Sequence, residues 1–299
     1  MVSTDRSFFI PGDCQDRAYR NVRDNLLTTN ELLYPGQPEP RLFIESLWDR
    51  YRDLADTHFR EDARNHFLER FWEMYLAVTL RERGFQLTRV GDEGPEFYFL
   101  HNGRKVWVEA VAPRPGEGVD RVPEICYGKV QEVPTEKIPL RFTNVLGEKR
   151  KKYIKVLQEK IIEPNDLYLL AINSRGIPHA PYGNTMPFFV QAFLPFGNLA
   201  CDVDTKTGKI VETFYQYREN VVKTSGAAVS TTAFLNPEFS FVSAVLHSAV
   251  DCVNHPDILG DDFSILHNPT ASRPLDGSAF NWCEQILYQD GRLERRHSQ

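Results

Sequence analysis

Two glutamates and one lysine-rich run carry the residue types best suited to chemistry. In GPEFYFLHNGRKVWVEAVAP, residues 94 to 113, Glu96 precedes and Glu109 follows an Asn102-Gly103 pair. Asn-Gly between two β-prone runs predicts a two-residue type I′ hairpin. His101 then pairs with Arg104, and the same register brings Glu96 opposite Glu109. Their Cβ atoms would lie about 4.5–5.5 Å apart, where like charges destabilise a sheet. A hard divalent cation takes carboxylate oxygens and would hold such a pair together. The plain alternative is two acids at a solvated strand end. Paired carboxylates also serve glycoside hydrolysis, but direct pairing on one hairpin favours a shared metal over groups flanking a sugar. Mutual repulsion further predicts that metal-free Glu109→Gln melts no lower than the parent.

These acids need a scaffold, and the flanking sequence supplies one. Side chains alternate along each strand, so Phe97, Phe99, Val106 and Val108 share an apolar face. Glu96, Tyr98, Leu100, Lys105, Trp107 and Glu109 share a mixed one. Upstream, RLFIESLWDRYRDLADTHF places Ile44, Leu47, Trp48, Tyr51 and Leu54 at helical spacing. EDARNHFLERFWEMYLAVTLRERG reads as a buried helix carrying Glu73, with Gly84 as its C-terminal cap. Phe85, Leu87 and Val90 suggest a strand before the hairpin. Residues 113 to 142 are rich in Pro and Gly and read as a long loop. The helix FTNVLGEKRKKYIKVLQEKIIEP follows, with Leu146, Tyr153, Leu157 and Ile161 as its stripe and Pro164 as its stop. On that stripe Lys149 sits at the edge and Arg150 within, while Lys151, Lys152 and Lys155 point away. DLYLLAIN, FSFVSAVLHS and DFSILHNP read as buried strands, and NLACDVDTKTGKIVETF as a pair turning at Thr-Gly. The fold class is therefore α/β (or α+β). The expected division is an irregular and helical segment over 1–60, a core over 61–175, and an extension over 176–299 packed on the same domain.

The element order and the acids together resemble the PD-(D/E)XK nuclease superfamily, the restriction-endonuclease-like fold. Its αβββαβ core carries Pro-Asp at the second strand, an acid and a lysine two residues apart on the third, and often a helix glutamate. Pro95-Glu96 stands at the first site, Glu109 at the second and Glu73, in RFWEMYLA, at the third. The resemblance covers about residues 60 to 175. It implies a central mixed sheet extended by C-terminal strands, and a nuclease that hydrolyses phosphodiester bonds of nucleic acid, DNA before RNA. It implies Mg²⁺ or Mn²⁺ on Glu96, Glu109 and Glu73. LNPEFSFVSAVLHS and LHNPTASRP resemble the tail of a bacterial subgroup. This sequence departs from the pattern twice: Glu96 replaces Asp, and Val111 occupies the lysine position. Some members carry that lysine on the following helix, which makes Lys149 the candidate, with Arg150, Lys152 and Lys129 behind it. Lys151, Lys152 and Lys155 are the expected contacts to the nucleic-acid backbone. Val111 also supports the alternative of a catalytically degenerate fold serving as a binding or regulatory module.

The rest of the chain sets bounds. A net charge of −6 over 299 residues argues against wholesale coating of nucleic acid but allows a local basic patch. Five scattered cysteines without a CxxC pair read as reduced thiols, which with no basic-then-apolar leader leads to an expectation of a cytoplasmic protein without membrane spans. A homodimer remains open. His247, Asp251 and His255 lack a metal-binding frame and read as surface or core residues. DVDTKTG reads as a polar turn, its glycine and final acid being misplaced for calcium.

Overall fold

The computed structural model describes residues 6–27, 38–91, 93–126, 128–181 and 186–297. Four helices come first: α1 (Arg17–Arg23), α2 (Pro40–Tyr51), α3 (Phe59–Ala63) and α4 (Phe67–Glu82). Asp16 caps α1 by accepting from the Ala18 and Tyr19 amides. Pro40 opens α2, where a missing N–H leaves no bond unmade. Gly84, at φ +90°, closes α4: its N–H donates to Arg81 O while Phe85 N–H donates to Leu80 O. That pair of bonds is the glycine cap the sequence predicts.

Strands β1 (Phe97–His101) and β2 (Arg104–Val111) form the predicted hairpin. Asn102 and Gly103 both take positive φ, +50° and +74°, as a type I′ turn requires. His101 pairs with Arg104 and Phe97 with Val108. Helix α5 (Lys137–Gln158) then crosses to β3 (Leu167–Asn173), which lies parallel to β2 with Glu109 opposite Leu170.

Three local expectations change. The strand expected over Phe85–Val90 reduces to one bridge, in which Thr88 and Tyr98 exchange backbone bonds of 2.8 and 2.9 Å. Helix α5 starts within the supposed loop, because Pro139 falls in the first turn and breaks no intrahelical bond. Its buried face is Phe142, Val145, Leu146, Tyr153 and Val156, whereas Leu157 is half-buried and Ile161 lies beyond the helix. The buried face keeps Leu146 and Tyr153 but is turned by about 60° from the Leu146/Tyr153/Leu157/Ile161 line, toward Val145 and Val156.

Downstream lie α6 (Phe188–Phe193), the ribbon β4 (Phe196–Val203) with β5 (Ile210–Tyr217), and the short pair β6 (Asn220–Val222) with β7 (Ala228–Ser230). The chain ends with β8 (Ala244–Ser248), β9 (Ser264–His267), β10 (Glu284–Gln289) and β11 (Arg292–Arg296). One mixed seven-stranded sheet runs β1-β2-β3-β8-β9-β10-β11, so the C-terminal residues extend the sheet that the hairpin begins. Its two faces are both buried. Phe97, Phe99, Val106, Val108 and Leu169 pack with Ile44, Leu47, Phe71 and Trp72 of α2 and α4. Trp107, Tyr168, Leu170 and Ile172 pack with the buried face of α5. Each such large side chain contributes about 1.5–3 kcal/mol by burial. The mixed face of the hairpin is thus roofed by α5, and any charge on it needs a partner.

Candidate active site

Glu109 lies on that roofed face and is completely buried, at 0% exposure. A carboxylate there is costly unless neutralised. Two ammonium groups do this from α5: Lys149 Nζ stands 2.5 Å and Lys152 Nζ 2.8 Å from the same oxygen, Oε1. Their positions follow from the helix phase. Val145, Lys149, Lys152 and Val156 fall on one row toward the sheet, with the apolar members bracketing the two lysines. Lys149 is thus where the sequence placed it. Lys152, expected to point away toward a nucleic-acid backbone, instead turns inward, because the buried face is turned toward Val145 and Val156. Oε2 of Glu109 has no hydrogen-bond partner, and the neighbouring Tyr168 hydroxyl closes none. Burial, followed by the Glu109 and Glu96 charges, pushes the Tyr168 pKa far up and keeps its proton on.

Glu96 sits one residue before β1, where the paired register ends at Phe97 and Val108, and its N–H donates to Val108 O at 3.1 Å. It is partly exposed. Burial first, then the charges of Glu109 and Glu73, push its pKa up to about 8, with Lys152 and Lys149 pulling the other way. The Glu109 charge thus acts on Glu96 from the neighbouring strand.

Glu73 comes to the same place from α4, at 3% exposure. It is already engaged: the Tyr51 hydroxyl donates to it, Arg70 Nη1 lies at 2.8 Å and Arg89 Nη1 at 3.3 Å. Arg70 also reaches Asp62 at 2.6 Å, and Arg89 reaches Asp56 at 3.3 Å. Burial and then the Glu73 charge push the Tyr51 pKa well above its usual value, so the hydroxyl remains a donor.

Glu73, Glu96 and Lys149 line a cleft of about 480 Å³, with Ala110, Val111 and Ala112 along the β2 side. Glu109 lies behind Lys149 and does not surface in it. Val111, at the family's lysine position, lines the cleft and adds no charge. His66, Glu69, Arg70 and Arg114 form the rim, with Arg114 Nε 2.9 Å from Glu69 Oε1 and its guanidinium against His66. The sequence reading missed these rim residues. Arg70 was legible at i,i+3 from Glu73. Arg114 was legible as the first basic residue beyond the C-terminal end of a core strand.

Other candidates lie elsewhere. Lys151 and Lys155 are solvent-facing and pair along the helix with Glu148 and Glu159. Arg150 pairs with Glu238 at 2.7 Å. His247 stacks on Phe189 and meets Ser174 Oγ, His255 stacks on Phe43, and Asp251 pairs with Arg175, so the three form no shared centre. In DVDTKTG, the Asp204 carboxylate accepts from Lys206 N and the Thr207 hydroxyl, which makes it a polar turn. Among the described residues, no group of three His, Cys, Asp or Glu side chains gathers to hold a metal ion.

Comparison with protein-family models, with curated proteins and with solved structures finds no match to this chain.

Proposed function

We propose that the protein is a metal-dependent nuclease that hydrolyses phosphodiester bonds of nucleic acid, with DNA as the leading substrate. The observation that carries this reading is the Lys149 ammonium, delivered from α5 to Glu109 where Val111 leaves the family's lysine position empty of charge. The residues fit a hard cation: Glu109 keeps an oxygen without a donor, and Glu96 bears the repulsion of two nearby acids. Glu109 and Glu96 would hold Mg²⁺ or Mn²⁺, which supplies charge neutralisation at the scissile phosphate and a bound water of lowered pKa. Lys149, lining the cleft, offsets negative charge that develops on the phosphate in the transition state. Lys152 meets the same Glu109 oxygen and adds a second counter-charge. Glu73, clamped by Tyr51, Arg70 and Arg89, acts on Glu96 through its charge and is assigned a positioning role.

A second reading has its own support. Glu73 is saturated by its clamp and Oε1 of Glu109 takes both lysines, as suits a degenerate fold that binds without cleaving. Plasmid cleavage separates the two. The nuclease reading expects nicking or linearisation with Mg²⁺ or Mn²⁺, none with EDTA, and none from a folded Glu109→Ala variant. Binding without metal-dependent cleavage by the parent protein selects the second reading.

A further inference from the structure

Among the described residues, no acid forms an ion pair with the Arg141 guanidinium. Arginines elsewhere in the chain are paired: Arg70, Arg81, Arg83, Arg89 and Arg114 each meet a carboxylate. Arg141 is half-buried, and its Nε is enclosed without any hydrogen-bond partner. Burial lowers its pKa, and only the Asp120 charge pulls the other way. Arginine stays protonated even so. An enclosed guanidinium nitrogen with no hydrogen-bond partner is a cost that an anion would relieve.

Its bed is built for it. The guanidinium lies against Gly116, which has φ +88°, and a Cβ there would sit 2.6 Å from Arg141 Cζ and closer to Nη1. The surrounding loop is closed without Arg141: Val122 N–H donates to Pro115 O at 3.0 Å, and Lys137 Nζ donates to Val119 O at 2.7 Å. Gly116 follows the cleft lining closely in sequence, although neither it nor Arg141 lines the cleft. Ala110, Val111, Ala112 and Arg114 line it as β2 runs out, and Gly116 follows two residues later. On α5, Arg141 lies on the same row as Val145, Lys149 and Lys152, about 12 Å along the axis from Lys149 at 1.5 Å per residue. At about 3.4 Å of axial rise per nucleotide of one strand, that separation spans three to four nucleotides.

We propose that Arg141 binds a backbone phosphate of the nucleic acid, three to four nucleotides from the phosphate at Lys149. The identity of the anion rests on the nuclease reading of the cleft; the existence of an anion site does not. The test has two arms, run on the full chain as the parent, Arg141→Gln, Arg141→Lys and Gly116→Ala. In the first, anisotropy of a labelled single strand of about 12 nucleotides is followed from about 50 to 200 mM NaCl. Arg141→Gln should weaken binding about tenfold and lower the salt slope by about one, while Arg141→Lys keeps part of the affinity. Gly116→Ala should weaken binding by displacing the guanidinium, and a dinucleotide too short to reach should show no difference. In the second arm, inorganic phosphate should raise the melting temperature of the parent but not of Arg141→Gln. A phosphate response lost in Arg141→Gln with oligonucleotide binding unchanged makes this a free-anion site and overturns the nucleic-acid assignment. Arg141→Gln that melts lower but keeps both responses makes Arg141 a loop brace and overturns the proposal entirely. If the parent fails to cleave yet loses oligonucleotide binding on Arg141→Gln, the nuclease reading fails and the phosphate site stands.

Discussion

Glu109 has no water to face, so its charge depends on Lys149 and Lys152. Removing either lysine leaves the other in place and should cost about 1 kcal/mol, whereas Lys149→Ala/Lys152→Ala leaves a buried charge unpaired and should cost about 3–5 kcal/mol, measured by urea unfolding. Non-additivity of the two single changes is the signature. The same pair reverses an expectation drawn from the sequence. Two facing acids predicted that Glu109→Gln would melt no lower than the parent, but Gln would leave two ammonium groups without a counter-charge, so it should melt lower. Glu96 gives a pH prediction. Its folded pKa, about 8, lies above the ordinary value of 4.5. The folded state therefore holds a proton that the unfolded state releases, and the contribution is fully present below about pH 4.5. It is lost as pH rises toward 8. The metal-free parent should lose melting temperature across that window relative to Glu96→Gln. Parallel melting profiles for the two proteins would show that Glu96 is not perturbed.

The hairpin is the element the sequence described best, because Asn102-Gly103 fixes both the turn type and the register that brings Glu96 toward Glu109. Gly103→Ala should destabilise the protein by about 1 kcal/mol, since φ +74° penalises a Cβ, and should lower cleavage by loosening that register. Equal denaturation midpoints for the two proteins would remove the turn from the account. Helix α5 was harder to read. Leu146, Tyr153 and Leu157 form a passable stripe, and lysines are not expected on a buried face, so the row through Val145, Lys149, Lys152 and Val156 was hidden by its own charges. Only the acid beneath makes that row sensible. The missing strand over Phe85–Val90 has a similar cause: Phe85 and Leu87 alternate but Val90 breaks the period, and the segment bridges β1 only at Thr88. The Glu73 clamp was illegible for another reason. Tyr51 and Arg89 are distant from Glu73 in the chain and meet it only through the packing of α2 and α4.

Across the molecule, the alternation of helices and strands gave the α/β class, and the seven-stranded sheet joins strands from the middle of the sequence to those near its C-terminal end. The final hairpin, β10–β11, turns at Asp290-Gly291, both with positive φ, and was as legible as the first. The sheet order itself was not legible, since no local signal says that β8 lies beside β3. That neighbour matters because all seven residues of β3 are buried between β2 and β8. A fragment ending at residue 175 should therefore fail to fold, although it contains every acid and lysine of the site, and circular dichroism with thermal melting would show no cooperative transition. Among the described residues no helix is long and apolar enough to cross a membrane. The central claim is that Lys149 supplies from α5 the charge that Val111 cannot. Single-turnover cleavage of a DNA substrate with saturating protein and Mg²⁺ or Mn²⁺ tests it most directly. Lys149→Ala should cleave about 10²–10³-fold more slowly than the parent while binding the same DNA within about threefold. Cleavage by Lys149→Ala at the parent's rate, or no metal-dependent cleavage by the parent, would contradict it.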